Sequence, residues 1–337
     1  MKIFKYFLSF TLVIFLISCA VTHDVQKING VSFVASRVAI DSSHVKPVVE
    51  LHANYAAIMP FGFTSSIDNP NIGYSKSWQW FGETKEGAKH YIKVLNKSGI
   101  KVMLKPQIWV NDGVFTGKIK MINETDWKIL EETYSNFILD FAKVAEEAHA
   151  DIFCIGTELE SFVTNRPDYW KHLISEVRKI YKGKLTYAAN WNEFSKTPFW
   201  NLLDYIGIDA YFPVSNEKTP TIEECLKGWE KHKATIKSFN ETYDKPVLFT
   251  EFGYRSVDYS GKAPWTVDHT ENDVNMEAQV NTTTALFETF WNEEWFAGGF
   301  VWKWFHFHDK AGGENNNRFT PQNKPAETVI SSYYQSN

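Results

Sequence analysis

The sequence predicts a (β/α)8 TIM barrel, an α/β fold closed as a single domain. Three observations carry this. Short apolar runs alternate with amphipathic stretches over about 300 residues, the pattern of strands buried on both faces with helices between them. Eight such runs can be counted. The segments after them are long and those before them short, which concentrates long loops on one face. A doubly wound open sheet is the competing arrangement.

The eight candidate strands span 30–35, 55–59, 102–107, 152–156, 185–190, 205–210, 247–250 and 299–304. The clearest helix covers about 125–149. There Trp127, Leu130, Tyr134, Phe137, Phe141, Val144 and Ala148 recur every three or four residues and share one face. Segment 84–96 repeats the pattern with Tyr91, Ile92 and Leu95, and Gly99 stops it. Segment 168–181 does so with Trp170, Leu173, Ile174, Val177 and Ile180. The long connections are 61–83, 108–123, 252–270 and 305–324, whereas 97–100 and 182–184 are short turns. The long ones carry Trp78, Trp80, Trp109 and Trp265, which either pack the loops onto the rim or meet a ligand.

Composition narrows the function. The chain has 337 residues, 44% apolar and 22% charged, enough for one large core and against global disorder. A net charge of −5 argues against a nucleic-acid partner, which needs a basic face. Thirteen Trp, 15 Tyr and 26 Phe exceed what a core alone requires and suggest a ligand with flat apolar faces.

At the N-terminus, Lys2 and Lys5 precede an apolar run from Tyr6 to Ile17, too short to span a bilayer but suited to a signal peptide. The run ends in Leu16-Ile17-Ser18-Cys19, which resembles the lipobox of bacterial lipoproteins. The expected organisation is a signal peptide at 1–18, a tether at 19–28 and the barrel at 29–337. Lipidation of Cys19 would anchor the protein to a membrane of the bacterial cell envelope. Cys154 and Cys225 then remain; Cys154 reads as a small buried hydrophobe and Cys225 lies on a helix, with a disulfide between them left open.

The chemistry lies at strand ends. The fourth candidate strand runs into Ile155-Gly156-Thr157-Glu158, and the seventh reads Pro246-Val247-Leu248-Phe249-Thr250-Glu251-Phe252-Gly253. Each places a Glu where an apolar strand reaches the barrel mouth. Together with Phe300-Val301-Trp302-Lys303-Trp304 and the closing Phe319-Thr320-Pro321-Gln322-Asn323-Lys324-Pro325-Ala326-Glu327, these stretches resemble glycoside hydrolase clan A, and within it family 113, the β-mannanase-like barrels. The resemblance covers roughly 29–334. It implies a retaining hydrolase of β-linked polysaccharide, most simply β-1,4-mannan, with Glu251 as nucleophile and Glu158 as acid/base; the aromatic loops suggest a cleft for several sugars and hence endo action. One residue departs from the clan, since many members carry Asn before the acid/base and this chain has Thr157. A barrel hydrolase of another β-glycan and a glycan-binding lipoprotein without turnover are the alternatives.

Supporting groups follow. Tyr211 is expected to hydrogen-bond Glu251, Arg37 to hold it ionised, and Lys105 and Asp209 to pair beneath it. Trp302 offers an indole floor for a sugar. Trp109, Asn190, Trp191 and Trp304 complete the expected sugar-binding set. Glu160 lies two residues past Glu158 but farther from the rigid strand end. His306-Phe307-His308-Asp309 has a metal-like spacing without matching ligands elsewhere, and Ser98-Gly99-Ile100-Lys101 falls on the wrong end of a barrel. No phosphate loop, dinucleotide fingerprint or serine elbow is found, so neither a cofactor nor a metal is expected.

Overall fold

The computed structural model describes residues 26–266 and 273–336. The segment expected to be a signal peptide, most of the expected tether and Cys19 lie outside the described residues. Ten strands and eight α-helices follow one another: β1 Ile28–Phe33, α1 Ser42–Glu50, β2 Tyr55–Ile58, β3 Phe61–Thr64, α2 Lys85–Lys97, β4 Lys101–Leu104, β5 Gln107–Val110, α3 Glu124–Ala148, β6 Ile152–Thr157, α4 Glu160–Asn165, α5 Pro167–Ile180, β7 Lys184–Asn190, β8 Ile206–Asp209, α6 Ile222–Tyr243, β9 Val247–Phe252, α7 Met276–Phe290, β10 Phe296–Trp304 and α8 Pro325–Gln335. Eight strands close in the order β1-β2-β4-β6-β7-β8-β9-β10, and β10 pairs in parallel with β1. This is the single-domain (β/α)8 barrel that the alternation predicts.

Helix ends follow local chemistry. Asn123 caps α3 by accepting from Asp126 N–H at 2.9 Å, and His149 in the left-handed region ends it. Thr221 and Glu224 form a capping box on α6. No helix among the described residues is long and apolar enough to cross a membrane.

The core has two parts. Ile28, Ala57, Met103, Ile152, Cys154, Ala188, Leu248 and Phe300, from seven of the eight barrel strands, cluster together as the filling of the barrel. The larger cluster lies between strands and helices, where Tyr134, Phe137 and Phe141 of α3 meet β6 and its neighbours. Gly30 shows how tightly the inside is filled: a Cβ there would lie 2.4 Å from the Phe300 ring. Cys154 and Cys225 are both buried and free, so the disulfide left open in the sequence does not form.

Two features differ from expectation. The third candidate strand is broken after Leu104, where Lys105-Pro106 intervenes before β5. The connections starting at 61 and 108 also open with regular structure. β3 and β5 form a separate parallel pair, with Phe61 opposite Gln107 and Phe63 opposite Trp109. Pro60 and Pro106, which lack an N–H, separate this pair from the barrel strands β2 and β4 that precede it.

Candidate active site

Glu251 and Glu158 line one cavity of about 600 Å³ at the C-terminal mouth of the barrel. They arrive there differently. Glu251 is part of β9, with only 6% of its surface exposed. Both its oxygens are taken by donors: Lys105 Nζ at 2.6 Å and Gln107 Nε2 at 3.1 Å reach Oε1, and Tyr211 Oη donates to Oε2 at 2.8 Å. An ionised carboxylate can only accept, so this cage suits its chemistry.

Below it, Lys105 Nζ also contacts Asp209 at 3.0 and 3.3 Å, and Thr250 Oγ1 donates to Asp209 at 2.7 Å. Lys105 and Asp209 have no exposed surface. Burial alone would lower the lysine, but the Asp209 and Glu251 charges offset this and hold it above its ordinary range. Burial and the Glu251 charge push Asp209 up to about 7 against the pull of Lys105. One ammonium thus serves two carboxylates from different strands.

Glu158 follows the last residue of β6 with φ of 51°, in the left-handed region that is costly for a side chain. Its surroundings fix it there. Its N–H donates to Ala188 O at 2.8 Å, its carbonyl accepts from Thr116 Oγ1 at 3.2 Å, and the next N–H, of Leu159, donates to Tyr187 Oη at 2.7 Å. Tyr187 in turn donates to Glu193 Oε1 at 2.6 Å, and Asn190 N–H donates to Glu193 Oε2 at 3.0 Å. Glu193 is buried and pushed up to about 7 by desolvation. Burial first, then the Asp209 and Glu251 charges, hold the Glu158 carboxyl well above the usual carboxylate range. Glu160 instead starts α4 and pairs with Lys196 at 2.5 Å, outside the cavity.

The walls are aromatic and polar. Trp302, Trp191 and Asn190 line the cavity, and Trp265 stacks on Trp191 with centroids 4.9 Å apart. Asn190 Oδ1 is buried with no hydrogen-bond partner among the described residues. Thr157 also lines the cavity, beside Glu158.

Three expected residues fall elsewhere. Arg37 is not beside Glu251: its guanidinium lies 5.3 Å over the Trp80 ring and its charge acts on Glu83, while Lys105 takes the place next to Glu251. Trp304 is wholly buried; the chain turns after β10, and the indole packs under that turn with its ring 5.5 Å from His308. Trp109 is on β5 but outside the cavity, with 55% of its surface exposed. Gln107, Glu193 and Trp265 are contributors that strand-end reasoning passes over. For Gln107 a signal exists, since in an extended chain it shares a face with Lys105. His306 meets Ser36 and His308 meets Glu327, and no set of three or more His, Cys, Asp or Glu among the described residues could hold a metal.

A closed eight-stranded parallel barrel with paired carboxylates at its C-terminal mouth is the frame of a barrel hydrolase. The profile of Glycoside Hydrolase Family 113 matches residues 35–324, and the chain belongs to that family. It is a glycoside hydrolase. Among solved structures it is similar to a GH113 β-1,4-mannanase in a complex, with 24% identity, TM-score 0.80, and 93% of this chain and 100% of that one covered. It is similar also to the GH113 β-mannanase AaManA from Alicyclobacillus acidocaldarius, with 23% identity, TM-score 0.80, and 93% and 98% covered. A β-glucuronidase of Faecalibacterium prausnitzii shares the fold at 17% identity and TM-score 0.62, with 92% of this chain and 49% of that one covered. No curated protein sequence matches this one significantly.

Proposed function

We propose that the protein cleaves β-1,4-mannan with retention of configuration, by double displacement. In the first step a Glu251 oxygen attacks the anomeric carbon while Glu158 gives its proton to the departing glycosidic oxygen. In the second, Glu158 takes a proton from water, the water oxygen attacks the same carbon, and the Glu251 ester bond breaks. The observation that carries this reading is the unlike setting of two carboxyl groups in one cavity: Glu251 caged by three donors, Glu158 raised by burial and neighbouring negative charge. Once Glu251 is esterified its charge is gone, and Glu158 ionises more readily to act as base. The indole of Trp302 offers a face for the sugar's C–H groups, and the unpaired Asn190 Oδ1 an acceptor for a hydroxyl. The β-mannanases of similar fold support mannan as the substrate.

Glu158→Gln tests the acid role. Turnover of mannan should fall by roughly 10²–10⁴-fold, the usual worth of a general acid. An aryl β-mannoside with a good leaving group should lose much less, because it needs little protonation. Equal losses on both would remove Glu158 from that role. The wild-type pH profile gives a second reading. The active form holds Glu158 protonated and its carboxyl is raised, so activity should decline as pH rises through a value well above that of an ordinary carboxylate. This basic limb should vanish in Glu158→Gln. Following product anomers by NMR during hydrolysis tests retention directly.

The protein is further proposed to be held at a bacterial membrane by lipid on Cys19, on the strength of the Leu16-Ile17-Ser18-Cys19 sequence. Cys19→Ala should shift it from the detergent-extracted membrane fraction to the aqueous one; continued need for detergent would rule the anchor out.

A further inference from the structure

The β3–β5 pair has two unlike faces. Gly62 lies on the packed one, where a Cβ would come within 2.9 Å of Ile72 and 3.2 Å of Phe137 of α3. Side chains alternate along a strand, so Phe61, Phe63, Gln107 and Trp109 share the opposite face. That face is open: Trp109 is 55% exposed, and Trp78, which packs edge-on against Phe63 at 4.6 Å, is 61% exposed. The rings form a continuous series, with Trp109 to Phe61 and Phe61 to Phe63 each 6.3 Å between centroids. The inner end of the same face is Gln107, which donates to Glu251. An aromatic strip therefore begins at Glu251 and extends outward by about 6.6 Å for every two residues of strand.

We propose that this strip is a glycan-binding platform outside the cavity, holding a stretch of the substrate chain remote from the bond that is cut. The inference rests on the glycan-cleaving reading of the cavity and names a residue set beyond it. Its occupant follows from continuity: a β-linked polymer leaving the cavity past Gln107 meets Phe61, opposite it, then Trp109 and Phe63, opposite each other, with Trp78 against Phe63. Sugar rings present C–H faces that stack on indole and phenyl rings. Exposed, contiguous aromatic surface of this kind often marks a ligand-binding groove. The platform favours long chains over short ones, and hence cleavage within a polymer.

The test pairs Trp78→Ala/Trp109→Ala with the parent, both carrying Glu251→Gln so that binding is read without turnover. Affinity for soluble β-1,4-mannan is compared with that for mannotriose, by affinity electrophoresis and calorimetry. Two stacking contacts of about 0.5–1.5 kcal/mol each correspond to a fall of roughly 5- to 150-fold in the polymer-to-trisaccharide affinity ratio. An unchanged ratio overturns the platform, as does an equal loss on both ligands, which would place the rings inside the cavity's own reach. Should the Glu251→Gln parent bind another β-glycan in place of mannan, the mannan assignment falls, and the same ratio measured on that glycan still decides the platform. Circular dichroism checks that the exposed substitutions leave the fold intact.

Discussion

Replacing Glu251 by Gln is expected to lower hydrolysis of the proposed substrate, β-mannan, by on the order of 10⁴-fold or more, because the proposed nucleophile would be gone. The fold should survive. Gln has the same shape, and its carbonyl can still accept from Lys105 and Gln107. Lys105 keeps a counter-charge in Asp209. Losing the Glu251 charge also removes one of the influences that raise Asp209 and Glu158, so both should titrate lower in the variant. Glu251→Ala offers a sharper reading. The vacated space beside the anomeric carbon can admit azide, which should restore turnover of an activated aryl β-mannoside and give a product of inverted configuration. Near-normal mannan hydrolysis by Glu251→Gln, measured with the unfolding transition intact, would falsify the nucleophile assignment.

The second large effect is structural. Lys105→Met should destabilise the protein by about 3–5 kcal/mol, since removing one partner of a buried pair leaves charge without compensation. Here two carboxylates are stranded at once, Asp209 and Glu251. The midpoint of thermal unfolding should drop by roughly 5–8 °C. The sign of the pH dependence is fixed by the same chemistry. Stranded acids have folded-state values raised above their unfolded ones, so the penalty is absent below the unfolded value and grows as pH rises toward the folded one. The loss should therefore be larger at pH 8 than at pH 5. Adding Asp209→Asn should recover part of it. A Lys105→Met variant as stable as wild type at pH 8 would show that the ammonium is not what balances these groups.

The barrel was legible because its signals are local. Apolar runs, 3.6-residue periodicity and the asymmetry of loop lengths each survive without knowledge of contacts. β3 and β5 were not, because four residues ending in Thr64 or Val110 look like the start of any loop, and only the prolines at 60 and 106 hint at a break. Among site residues, position along a strand separated Glu158 and Glu251 from other carboxylates, and it could place Tyr211 and Asn190 near the mouth. It failed where the backbone turns. Arg37 follows β1 closely enough to reach the mouth, yet its loop carries it to Trp80, and Trp304 ends β10 but lies beneath the next turn. Glu193 was missed because its role depends on Tyr187, a barrel-strand residue whose hydroxyl links it to the chain just after Glu158.

The Lys105 contacts also bear on how the molecule comes to exist. Its two acidic partners lie 104 and 146 residues farther along the polypeptide, and the ring of strands is completed only when β10 meets β1. A nascent chain that has emerged only as far as α6 holds Lys105 and Asp209 but not Glu251. On the proposed assignment such a chain lacks the nucleophile, and fragments that end before β9 should be inert toward the polysaccharide.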